Sequence, residues 1–371
     1  MKKLPWAFAI GAILLMSFTK DQNNIKSPSM EGFSYGSPEI GSITELSFGP
    51  EGILFMGDTK GAAIHALDTG DNTAADTRDY NLNAFDQTVA AALGTTPDKI
   101  KIHDMAVNPV SKKIYFSVST IDGTSVLLRL EGENLELVPL KDVYYSSVDL
   151  KDPVAADAED QRGRSLRVWS ISDLRYHDGH VLVSGLSNKE FSSTFRSIPF
   201  PFKDDQQYAS LEIFHAAHGQ YETKAPIKTF DVISLNNKEY LMASYTCTPL
   251  VLFPMDELKD GKHVKGRTVA ELGWGNSPLD MITYEKNGKR FFAMSNSNRP
   301  LMRIAYDDLA ATTESLTTPL PESEVTAGMP YDSLPMVYIL QLDKLDETHI
   351  LTLRRTADGD LELRSGTTEW M

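Results

Sequence analysis

Three features of the chain predict an all-β fold of radially arranged four-stranded sheets, a β-propeller most simply counted as six blades. First, five segments share one grammar: Ser42–Asp58, Lys101–Ser119, Ser170–Leu186, Lys228–Tyr245 and Ser277–Ser295. Each has a carboxylate, a short strand with apolar alternation, a turn rich in Gly, Asn, Asp or Pro, and a second apolar strand. Second, the copies start roughly 45 to 70 residues apart, the spacing of one propeller blade each. Third, further short strands such as "SVLLRLEG" and "PLVLFPM" follow the hairpins, while long amphipathic helices are scarce. A sixth, weaker copy is "PMVYILQLDKLDETHILTLRR", Pro335 to Arg355. Seven blades is the count if an insertion hides another copy.

Taken in order, the chain opens with Lys2 and Lys3, then the apolar run Leu4 to Phe18. That run is short for a spanning helix and suits a secretory signal, so residues 1–25 read as a signal peptide or an N-terminal anchor. Residues 30–371 read as one propeller domain, exported to the periplasm or secreted. "LNAFDQTVAAALG", Leu82 to Gly94, is the best helical candidate and reads as an insertion between blades one and two. Asp152 to Ser165 and Thr317 to Ser333 read as irregular excursions. Ring closure needs an outer strand from the other end of the chain, and Glu31 to Gly36 is the segment expected to give it to the last blade.

The chain has 371 residues and a net charge of -15 spread without long runs. This argues against nucleic acid or an anionic membrane surface as partner, because phosphate binding needs clustered Lys and Arg. Partners are therefore expected to be a small molecule or a protein, with no membrane embedding beyond the N-terminal anchor. Cys247 is the single cysteine, so no internal disulfide can form.

The hairpins resemble those of six-bladed propellers of the NHL and gluconolactonase types. "MAVNPVSKKIYFSV" is similar to the inner hairpin of NHL blades, and "TELSFGPEGILFMGD" to the first-blade segment of gluconolactonase-type enzymes. That resemblance implies a Glu metal ligand at the position of Glu45. The Gly-containing strand starts that carry the family's other ligands read "SDL", "FDV" and "LDM" here.

In such a fold the first strand of each blade lines the central channel. The carboxylates Glu45, Asp104, Asp173, Asp231 and Asp280 should therefore ring its mouth. Two readings stand: each accepts backbone N–H groups of a neighbouring blade, or a subset binds Ca²⁺ or another divalent cation. Loops on the same face should gather His103, Lys60, Asn188, His215, His218, Glu222, Cys247, Asn298, Arg299 and Arg355 as a ligand site. His215 and His218, three apart, cannot share a strand face but can converge in a loop, and with Cys247 and His103 would suit Zn or Cu. Three functions follow: a binding propeller using the channel mouth, a metal-dependent hydrolase or lactonase there, or a redox or lyase enzyme using the His and Cys residues.

Overall fold

The computed structural model describes residues 28–321 and 323–371, so residues 1–25, expected to be a signal peptide or anchor, lie outside the described residues. Its strands form six sheets, one per blade. Blade one consists of Glu45–Phe48, Ile53–Asp58, Ala63–Asp68 and Val143–Asp149, with Ser34–Gly36 added at the outer edge. Blade two is Ile100–Val107, Ile114–Thr120, Ser125–Glu131 and Asn134–Val138. Blade three is Asp173–His177, His180–Leu186, Ser193–Pro199 and Gln207–His215. Blade four is Ile227–Leu235, Lys238–Tyr245, Pro249–Pro254 and Arg267–Glu271. Blade five begins Pro278–Lys286, Lys289–Asn296 and Met302–Ala305. Blade six begins Ile339–Lys344, His349–Arg355 and Leu361–Thr367.

Each sheet buries both faces, which is why the second strands read as near-continuous apolar runs such as "ILFM" and "VLV". Six apolar clusters fill the six gaps between blades. Phe55, Ile64 and Val183 pack between blades one and three, and Phe116, Leu128 and Leu351 between blades two and six. Phe195, Phe230 and Leu241 join blades three and four, while Met242, Phe292 and Met294 join four and five.

Two connections depart from expectation. Innermost strands touch in the order three, four, five, six, two, one, then three again. Blade two therefore sits between blades six and one. It is nested inside blade one: the chain leaves after Ala63–Asp68, builds all of blade two, and returns as Val143–Asp149 beside Ala63–Asp68. The expected helix is present as Phe85–Ala92 within this insertion, its Phe85 and Val89 packed into the cluster between blades two and six.

Ring closure is the second departure. Ser34–Gly36 pairs with Val143–Asp149 in blade one, not with the last blade. Blade six is closed by Asn81–Leu82, which pairs with Leu363 and Arg364. The nested path brings these two residues past that edge before the chain reaches blade two. The excursion before residue 333 is also partly ordered: Ala327–Gly328 extends blade four and Asp332–Ser333 completes blade five. No helix among the described residues is long and apolar enough to cross a membrane.

Candidate functional site

The innermost strand of every blade pairs on one side only. Its other edge faces the axis with N–H groups that need acceptors. The strand-start carboxylates supply them across the gaps. Asp173 Oδ2 accepts from Phe230 N–H at 2.9 Å, and Asp280 Oδ2 from Leu342 N–H at 2.8 Å. Asp104 Oδ2 accepts from Leu46 N–H at 2.7 Å. The sixth copy holds a member that the sequence pattern missed: Asp343 Oδ2 accepts from Val107 N–H at 2.7 Å. The second oxygen of Asp104, Asp280 and Asp343, and one oxygen of Asp231, accepts the next N–H of its own strand. Between blades one and three Ser47 Oγ takes the role, accepting from Tyr176 N–H at 3.2 Å.

Arg175 is the cation of this ring. It lies two residues after Asp173, hence on the same strand face. Its Nε donates to Phe230 O at 2.5 Å and its terminal nitrogen to Met281 O at 2.7 Å, with Asp280 at 3.9 Å. Burial raises Asp173, Asp280 and Asp343 above the usual carboxylate range, Arg175 opposing the rise at each. Burial raises Asp104 to about 7, against its backbone hydrogen bonds.

Glu45 differs from its relatives. Among the described residues it accepts no hydrogen bond, and burial followed by repulsion from Asp104 raises it well above the ordinary value. It lines an axial channel of about 610 Å³ together with His103, Asp104, Arg175, Lys228 and Gln341. Two of these residues arrive by β-bulges. Pairing steps from Ile102 to Asp104 in blade two and from Ile227 to Thr229 in blade four, leaving His103 and Lys228 as the extra residues. A bulged residue is re-aimed out of the ladder. Leu279 and Leu340 are the equivalent extras in blades five and six, and they too line the channel. His103 Nε2 hydrogen-bonds Ser119 Oγ at 2.8 Å, and burial, with Lys101 and Lys60 nearby, pushes it down to about 4, so it is neutral at pH 7. Lys228 Nζ sits 4.2 Å from the Trp169 ring centre; burial lowers it, with Glu45 opposing.

The remaining residues expected at the mouth separate into groups. His215, His218 and Cys247 converge, each offering a ligand atom within 4.8 Å of the others, and none of them lines the channel. Among the described residues this is the group that gathers as metal ligands would; the ring aspartates, unlike Glu45, accept from backbone N–H groups instead. His215 ends a strand of blade three and His218 lies in the turn that leads to Gln220–Glu222, closed by Gly219 at φ 65°. Glu222 accepts from His215 Nδ1 at 3.0 Å and His218 Nδ1 at 2.6 Å. Burial opposes ionisation of Glu222, yet these bonds hold it at about 2. Glu271, fully buried at the end of blade four, is raised to about 7 by that burial.

Asn298 donates from Nδ2 to Gly275 O at 2.7 Å, and the Arg299 side chain packs on Gly273; both hold the loop between blades four and five. Exposed Arg355 donates to Gly359 O, and the Asn188 N–H donates to Asp152 O; neither meets the other groups. Exposed Lys60 does not line the channel; its amine lies beside Gly123, and its charge helps to lower His103.

No family model and no curated protein matches the chain. Solved structures similar to it include extracellular domains 1–2 of Drosophila semaphorin 1b, at 9% identity and TM-score 0.39, covering 92% of this chain and 85% of that one. A putative oxidoreductase (glucose dehydrogenase) of Thermus thermophilus aligns at 10% identity and TM-score 0.34, covering 90% and 100%. The PQQ-bound aldose sugar dehydrogenase of Streptomyces coelicolor aligns at 10% identity and TM-score 0.30, covering 90% and 97%. The six-bladed assignment itself rests on the six sheets described above.

Proposed function

We propose that the protein is an exported binding propeller that takes a small, polar, donor-rich ligand at the mouth of its axial channel. The observation that carries this reading is Glu45, the ring carboxylate with no hydrogen-bond donor, facing a channel of about 610 Å³. A half-buried channel carboxylate without a donor favours a ligand that brings hydroxyl or amine hydrogens to it. Lys228 adds a donor beside it, and neutral His103 adds a further polar edge. The hydrolase reading, in which Glu45 is a metal ligand, needs several ring oxygens free to hold an ion. Asp104, Asp173, Asp280 and Asp343 are each engaged by backbone N–H groups, which favours binding over metal-assisted hydrolysis.

Thermal-shift and calorimetric screening against sugars, polyols, amino acids and polyamines tests the proposal. A one-to-one ligand whose binding is lost in Glu45→Ala and Lys228→Met, but kept in Cys247→Ser, is the expected result. A ligand indifferent to both channel substitutions would overturn it. Export rests on Lys2, Lys3 and the apolar run Leu4 to Phe18. Mass spectrometry of the N-terminus from cell fractions checks it, with a protein left in the cytosolic fraction as the contrary result.

A further inference from the structure

We propose that His215, His218 and Cys247 form a binding site for a thiophilic transition-metal ion of the Zn²⁺ or Cu⁺ class, outside the channel. The rings of His215 and His218 stack with centres 3.8 Å apart and planes tilted by 38°. Each Nδ1 lies against a different oxygen of the same carboxylate, Glu222. A carboxylate only accepts, so both imidazoles carry hydrogen on Nδ1 and present a lone pair on Nε2. This is the arrangement by which a carboxylate orients metal-bound histidine and raises its basicity.

A second observation points into the same place. His215 is 2% exposed, and its Nε2 has no hydrogen-bond partner. It faces Glu271 Oε1 at 3.6 Å, which is buried and equally without a donor. Two buried acceptors that face each other need a cation or a proton between them. Cys247 brings sulfur to the group from a left-handed backbone conformation, φ 67°, pinned by its N–H to Asn276 O at 2.7 Å. A non-glycine residue held there costs free energy, and such strain collects where a side chain must be aimed. One ring nitrogen of each histidine and the Cys247 sulfur lie within 4.8 Å of one another. Four-coordinate Zn²⁺ with such ligands needs separations of roughly 3.3 to 3.8 Å, which modest side-chain rotation supplies. Glu271 or a water would take the fourth position. Two imidazoles and one thiolate select a soft or borderline ion over Ca²⁺ or Mg²⁺. Binding releases the thiol proton to solvent as the metal–sulfur bond forms. His218 is 48% exposed, so the ion has a path from solvent.

The test uses the full mature chain, reduced and stripped with chelator. Co²⁺ titration should give one equivalent bound, with thiolate-to-cobalt charge-transfer absorption and tetrahedral visible bands. Zn²⁺ should then displace it, and a competing chelator should rank Zn²⁺ against Cu⁺. Cys247→Ser should abolish the charge-transfer band, and His218→Ala should weaken binding at least about 100-fold. Glu222→Gln should weaken it about 10- to 100-fold. One equivalent of Zn²⁺ should also slow alkylation of Cys247 at least tenfold in the wild-type chain, a readout that needs no variant of the buried His215. Absence of stoichiometric binding, or binding that survives unchanged in both Cys247→Ser and His218→Ala with native circular dichroism, overturns the proposal.

Discussion

The axial ring and the His215–His218–Cys247 cluster use similar residue types in opposite ways. In the ring, a carboxylate recurs once per blade, and Asp104, Asp173, Asp280 and Asp343 each spend an oxygen on a backbone N–H of the neighbouring blade. In the cluster, nothing recurs, and a buried nitrogen and a buried oxygen face each other without hydrogen-bond partners. Repetition marks what the fold uses at four of its six interfaces; departure from the repeat marks groups left over for chemistry. Glu45 and His103 carry the same lesson inside the ring. Glu45 belongs to the repeat by position yet has no backbone donor, and His103 is an extra residue in its ladder.

That contrast can be broken first at Arg175. Arg175→Met should cost the most, about 3 kcal/mol, because it strands several half-buried carboxylates and two backbone carbonyls. Chemical denaturation measures this, and a loss below about 1 kcal/mol would contradict it. Asp343→Ala comes next, at about 2 to 3 kcal/mol, since the N–H groups of Val107 and Lys344 both lose their acceptor. Glu45→Gln should be close to neutral or slightly stabilising by the same measurement, because it removes a repelled charge and no hydrogen bond. A loss as large as that of Asp343→Ala would place Glu45 with the architectural members.

A pH series sharpens the same point. Asp104 is raised from 3.8 to about 7 in the folded state, so the native protein binds the extra proton between those values. Its contribution to stability is full below pH 3.8 and is lost as pH rises through about 7. Wild-type stability should therefore fall more steeply from pH 4 to pH 7 than that of Asp104→Asn. Parallel curves would show that Asp104 keeps an ordinary value. The smallest effect belongs to Arg355→Ala, within about 0.5 kcal/mol, because this exposed side chain reaches only Gly359 O.

The blade count was legible because a two-residue side-chain period with turn residues at fixed offsets survives in every copy. The order of the blades was not, since periodicity carries no record of which sheet lies beside which. Closure by Asn81–Leu82 escaped because two residues make no pattern. Asp343 escaped because the sixth copy matches the shared pattern most weakly, although the carboxylate lies three residues after the extra residue Leu340, the offset that Asp231 keeps from Lys228. His103 and Lys228 reach the channel through bulges, which shift register without altering composition. Convergence of His215 with His218 depends on a turn closed by Gly219, and the sequence offered it as a loop alternative only. Two missed residues did leave a signal. Glu271 interrupts the apolar run "TVAEL", where a charge is buried only with a reason, and Arg175 shares a strand face with Asp173.

Amide hydrogen exchange at Val107 in the wild-type chain and in Asp343→Ala tests most directly whether the repeated carboxylates hold the inner strand edges. Val107 N–H should be protected to near the global stability in the wild type and exchange orders of magnitude faster in the variant, while Leu342 N–H, served by Asp280, stays protected. Equal exchange at Val107 in the two proteins would contradict the account.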